Sequence, residues 1–158
     1  MTPITVSGEL LVLLHKPDPT HPLILRCGVF ATYLLSCGSS KLWHWGLLPS
    51  DCKDSPFVRQ GVPVRFPLLD ENIALIDVSV GLEHVVVLSE SGCVFTWGYG
   101  SSGQLGLGPA VTSNVGSEHP TQVDFFRNEA DFCITAISCG WNHTVAVSRS
   151  SEVYAWGS

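Results

Sequence analysis

Apolar positions along the chain come in short runs separated by turn-forming residues, and the clearest unit spans residues 80–108. Val85, Val86, Val87 and Leu88 form a β-branched run, Ser89-Glu90-Ser91-Gly92 supplies turn chemistry, and Val94-Phe95-Thr96-Trp97 adds a second run with large side chains. That order predicts a β-hairpin. Gly98, Gly100, Gly103, Gly106 and Gly108 follow, too many backbone-permissive residues for a helix or a regular strand, so a loop is expected there. No segment keeps a helical period over about ten residues. The chain reads as all-β.

The unit recurs. Residues 139–158, CGWNHTVAVSRSSEVYAWGS, repeat it in register: Gly81 to Trp97 is 16 positions, and so is Gly140 to Trp156. His84 then matches His143, Leu88 matches Val147 and Ser89 matches Ser148. A third copy lies at 27–46, CGVFATYLLSCGSSKLWHWG, with Ala31 in the histidine position and one extra residue in the turn. The tryptophans Trp45, Trp97 and Trp156 are spaced by 52 and 59 residues. A hairpin repeated at that period with a Gly-aromatic signature points to propeller blades.

Each copy has a lead-in strand, at 23–26, 74–80 and 133–138, and proline-bearing segments at 62–67 and 119–125 fit edge strands, where proline is tolerated. Residues 1–22 read as a divergent repeat tail and Pro-rich connector, with Ser7–Leu13 laid on Ser91–Trp97. Residues 23–73 form a degenerate repeat, 74–132 the full repeat and 133–158 a truncated one, all within one repeat domain. The expected architecture is a partial β-propeller of about three four-stranded blades in an incomplete ring, since rings take roughly four to eight blades. Such a chain reads as a fragment, a short form or part of an assembly that supplies the missing blades. Its open blade edges invite self-association.

Composition changes this picture little. Apolar residues make up 45% of the 158 positions, enough for a core, and the formal charge is −6 with eight scattered Lys and Arg. That balance argues against a direct grip on nucleic acid, which needs clustered cations. Leu10–Leu14 is far too short to span a bilayer and lacks the flanks of a signal peptide. The six cysteines make no Cys-x-x-Cys pair. Cys27 and Cys139 share a repeat position where a small buried residue is wanted, and free thiols in a reducing compartment, cytoplasmic or nuclear, are the expected state.

Candidate chemistry is sparse. His84 and His143 belong to different copies, so a metal pair is disfavoured and a structural role, with the ring hydrogen-bonded to blade backbone, is expected. The tryptophans suit packing between blades better than base stacking. Gly98–Gly108 lacks the Lys-Ser/Thr ending and following helix of a phosphate loop, and Gly100-Ser101-Ser102-Gly103 has the wrong spacing for a nucleophile elbow. Asn142-His143-Thr144 matches a glycosylation sequon but lies inside the repeat motif. No catalytic, cofactor or metal site is expected. Glu83, His84, Trp141, Asn142 and His143 are the candidate partner-binding loop residues, because they vary or sit at the turns of a rigid scaffold.

Gly81, His84, Phe95, Trp97, Gly98 and the Gly103-Gln104-Leu105-Gly106 run closely resemble a repeat of the regulator of chromosome condensation family. Gly140, His143, Tyr154, Trp156 and Gly157 carry the same signature, and Gly28, Trp43, Trp45 and Gly46 carry a reduced one. The resemblance implies a propeller, seven-bladed in that family. It implies either a non-catalytic protein-binding module, acting as scaffold or regulatory adaptor, or a guanine nucleotide exchange factor for a small Ran-like or Rab-like GTPase. No residue matches the protruding element that exchange would need.

Overall fold

The computed structural model describes residues 18–47, 58–66, 73–108, 116–126 and 133–158. The segment 7–13, laid on a repeat strand above, lies outside them. Among the described residues eleven strands form three antiparallel sheets. The first blade is β1 (Leu23–Cys27), β2 (Ala31–Ser36), β3 (Leu42–Gly46) and β4 (Val58–Pro63), hydrogen-bonded in that order. The second is β5 (Leu75–Val80), β6 (His84–Ser89), β7 (Val94–Gly98) and β8 (Ser117–Gln122). The third is β9 (Ile134–Cys139), β10 (His143–Ser148) and β11 (Val153–Gly157). A 3-10 turn at Asp124–Phe126 follows β8. The sheets do not close into a ring.

The third blade, the truncated repeat, has three strands among the described residues, and one expectation is corrected. The edge strands begin earlier than the prolines suggested, at Val58 and Ser117, because each pairs with its neighbour through a register shift, between His44 and Gly46 in one blade and Thr96 and Gly98 in the other. In the second blade the shift spans Pro120 and absorbs its missing amide, whereas Pro63 ends β4 outside the shift.

The repeat is exact at the level of single hydrogen bonds. Gly28 N donates to Ala31 O, Gly81 N to His84 O and Gly140 N to His143 O, each at 2.8 Å. Leu47 N reaches Phe30 O at 3.0 Å, Tyr99 N reaches Glu83 O at 2.7 Å and Ser158 N reaches Asn142 O at 2.9 Å. At the other end of the hairpins, Ser36, Ser89 and Ser148 donate to Lys41, Cys93 and Glu152. The glycine of each Trp-Gly explains the conservation of geometry. Gly46, Gly98 and Gly157 sit at φ of 100°, 103° and 100°, a region closed to residues with a Cβ. A Cβ at Gly46 would strike Phe30 O, and one at Gly157 would strike Asn142 O.

Blades pack face to face, and the core lies in the seams. Tyr33, Leu35 and Leu42 of the first blade meet Leu75, Val78, Val85, Val87 and Trp97 of the second. Val86, Leu88, Val94, Val123 and Phe126 of the second meet Ile134, Ile137 and Ala146 of the third. Alternation explains the split, since successive side chains of β6 face opposite seams: Val85 and Val87 one way, Val86 and Leu88 the other. Each buried valine or leucine is worth about 1.5–3 kcal/mol relative to an exposed one. The five described cysteines are free thiols, and Cys27 is exposed rather than buried. Its partner position Cys139 is half-buried, and desolvation pushes that thiol up to about 11.

Candidate interaction face at the turn end of the blades

Three turns join first to second strands at one end of the blades: Gly28–Phe30, Gly81–Glu83 and Gly140–Asn142. They lie in a row. A Cβ on Gly28 would meet Gly81 O at 3.4 Å, and one on Gly81 would meet Gly140 O at 2.8 Å. The Leu82 N–H donates across the seam to Trp141 O at 3.2 Å. Backbone bonds from Leu47, Tyr99 and Ser158 clamp the last residue of each turn, so the loops are fixed while their side chains vary.

Trp141 is 72% exposed, Val29 64% and Phe30 41%. Glu83 and Asn142 are half-buried in the same row, and His143 is exposed at its end. Aromatic surface of this kind on a fixed scaffold is what protein interfaces select. Val29 and Phe30 were absent from the sequence-derived candidates. They stand at the positions of Leu82-Glu83 and Trp141-Asn142, and the alignment on Gly28 carries that signal even though Ala31 takes the place of the histidine in this copy.

His84 is placed elsewhere. It is fully buried beneath the row, in the seam between the second and third blades. Its Nε2 lies 2.9 Å from Thr144 Oγ1 of the next blade, not against blade backbone as expected. Thr144 Oγ1 donates to Gln104 O at 3.0 Å, and Trp156 Nε1 donates to the same carbonyl at 2.8 Å. Gln104 is itself buried, its Oε1 accepting from Ser102 N at 2.8 Å. The Gly-Gln-Leu-Gly loop of one blade is thereby hooked onto the tryptophan of the next. Burial pulls the His84 ring down to about 4, with His143 adding to the same direction. The ring is neutral at pH 7 and serves the seam rather than a partner.

In the first blade Ala31 takes the histidine position, and the space over Gly28 is filled instead by Val80 of the second blade, whose Cγ1 would lie 2.5 Å from a Cβ there. At Gly81 and Gly140 that space holds the ring of the blade's own histidine. Among the described residues no three His, Cys, Asp or Glu side chains gather as metal ligands. No helix there is long and apolar enough to cross a membrane.

Comparison with known proteins agrees with this geometry. Residues 91–147 and 75–104 match the regulator of chromosome condensation (RCC1) repeat. The chain is 35% identical over 138 residues to the Arabidopsis thaliana RCC1 domain-containing protein RUG3, mitochondrial, covering 84% of this chain and 28% of that protein. It is 30% identical over 130 residues to the Bos taurus secretion-regulating guanine nucleotide exchange factor, covering 79% and 25%. The crystal structure of Prp20p from Saccharomyces cerevisiae superposes with a TM-score of 0.69 at 21% identity, over 85% of this chain and 32% of that one. The chain thus spans about a quarter of the curated relatives and a third of the solved one. The hairpin register, the Trp-Gly turns and the loop hooked onto the next blade's tryptophan are the physical form of those matches: the chain carries RCC1 repeats over residues 75–147, and its sheets fold as propeller blades.

Proposed function

We propose that the chain is a non-catalytic protein-binding module, a scaffold or regulatory adaptor that meets a protein partner with the turn end of its blades. The observation that carries this reading is the exposure of Trp141 in one row with Val29 and Phe30 on backbone-clamped turns. Large aromatic side chains at the centre of such a face are the residues whose loss weakens binding most. A reducing compartment, cytoplasmic or nuclear, suits the free thiols. A photo-crosslinking side chain at Asn142 is expected to give discrete protein adducts in cell extract, abolished by Trp141→Ser. Equal adducts from a probe at Ser150, at the opposite end of the hairpins, would remove this reading.

A second reading is regulation of a small GTPase by nucleotide exchange. It is favoured by the similarity to the secretion-regulating guanine nucleotide exchange factor, of which the chain spans 25%. Nucleotide release from Ran-like and Rab-like GTPases separates the two. Release accelerated by the chain and lost with Trp141→Ser would support exchange through the same face, and unaccelerated release leaves the adaptor reading in place.

A further inference from the structure

We infer that the turn end of the blades takes a lysine- or arginine-bearing segment of a protein partner, recognised by carboxylates set among aromatic rings. The inference rests on the adaptor reading above and names the chemistry of its partner. The charge on the second blade carries it, and that blade has a neighbour packed on each face.

The clamp at the second turn builds a continuous surface. Tyr99 N donates to Glu83 O, so the half-buried Tyr99 lies beside the half-buried Glu83. Gly116 is pressed against the same segment: a Cβ there would strike Gly98 O and lie 3.3 Å from the Tyr99 Cα. Ser117 then pairs with Gly98, which brings the exposed Glu118 to the same end of the blade as Glu83. On one side Leu82 N reaches Trp141 O at 3.2 Å, and on the other Phe30 holds the position of Glu83 in the first blade. Two carboxylates thus share one end of the structure with Phe30, Tyr99 and Trp141.

The described structure leaves these charges uncompensated. Neither carboxylate makes a hydrogen bond or ion pair among the described residues. Of the lysine and arginine side chains that the structure describes, Arg26 is held by Asp77 in the first seam at 3.2 Å. Lys41 and Arg149 belong to turns at the opposite end, and Arg65 follows Val64, whose amide bonds to Leu42 at that opposite end. The whole chain carries a formal charge of −6. A potential of one sign on a fixed surface selects partners of the other sign and speeds their approach. Exposed indole and phenol faces attract guanidinium and ammonium groups as well. The same carboxylates repel a phosphate backbone, so the cationic segment belongs to a protein.

The test is a fluorescein-labelled peptide, GRGKGRGKG, titrated into the 158-residue chain and read by anisotropy. Saturable binding is expected, weakening severalfold between about 50 and about 300 mM salt, with GQGQGQGQG failing to bind. Glu83→Gln combined with Glu118→Gln, and separately Trp141→Ser, should each weaken binding at least about fivefold. Glu90→Gln combined with Glu152→Gln removes the same charge from the opposite end and should leave binding nearly unchanged. Absence of saturable binding overturns the inference, and so does an equal loss with either pair, which would make the attraction one of net charge alone. The crosslinking probe at Asn142 separates this inference from the adaptor reading. Adducts lost in the Glu83→Gln, Glu118→Gln chain support a basic partner. Adducts unchanged in that chain would keep a partner at this face and overturn its basic character.

Discussion

His84 Nε2 and Thr144 Oγ1, 60 residues apart in sequence, face each other at 2.9 Å across the buried seam between the second and third blades. The hydroxyl has one proton, and it goes to Gln104 O, which can only accept. Thr144 must therefore accept from His84, which places the imidazole proton on Nε2. His84 Nδ1 is left a buried acceptor with no hydrogen-bond partner. A second proton would have to sit on Nδ1, facing the Gly81 backbone with nothing to receive it.

Thr144→Val removes the acceptor from a buried N–H and one donor from Gln104 O. Chemical denaturation should show a loss of about 1–3 kcal/mol, largely restored by Thr144→Ser. Nitrogen NMR of the His84 ring should show the Nε2–H tautomer in the unmodified chain.

The Gln104 carbonyl receives both Thr144 and Trp156. A double-mutant cycle of Thr144→Val with Trp156→Phe should therefore be non-additive, with a coupling of about 0.5–1 kcal/mol. Strict additivity would mean that the two donors act independently.

Acid should loosen the same seam. The folded His84 sits at about 4, below its ordinary 6.5, so the unfolded chain binds the extra proton between these values. Its contribution is whole above pH 6.5, declines as pH falls, and is gone below 4, an effect on the order of 3 kcal/mol. Thermal melts from pH 7 to pH 4 should fall more steeply for the unmodified chain than for His84→Gln.

Two glycines with positive φ should respond differently to alanine. Gly46→Ala drives a Cβ into Phe30 O and should cost about 2–3 kcal/mol or more. Gly103 also has positive φ, 78°, but open space around it, so Gly103→Ala should cost only about 1 kcal/mol.

The hairpins were legible because each needs only local information: a β-branched run, a turn and an aromatic run. The glycine-to-tryptophan interval carried the register, and β6 with β7 and β10 with β11 pair as that interval demands. What joins one blade to the next was harder to read. His84 was recognised as structural, but its acceptor lies in another copy at a position held by Val85 in its own, so internal comparison could not supply it. Burial at the Cys27 position failed for a related reason: Arg26 reaches Asp77 of the second blade, so its neighbour Cys27 faces the other way, where among the described residues no blade packs.

The methyl group of Val80 seated over Gly28 has a consequence for how such a chain can be rearranged. The first blade has Ala31 where the other two have histidine, and Val80 of the second blade fills that space, so the two sides of this contact lie in different repeats. Restoring the ring with Ala31→His should overpack that space by about 1–3 kcal/mol, and Val80→Ala should relieve it, as paired melts would reveal. Blades that share a signature are therefore not interchangeable cassettes: their order is encoded by side-chain volume across the joints, and a shuffled chain would keep every hairpin yet mismatch its neighbours.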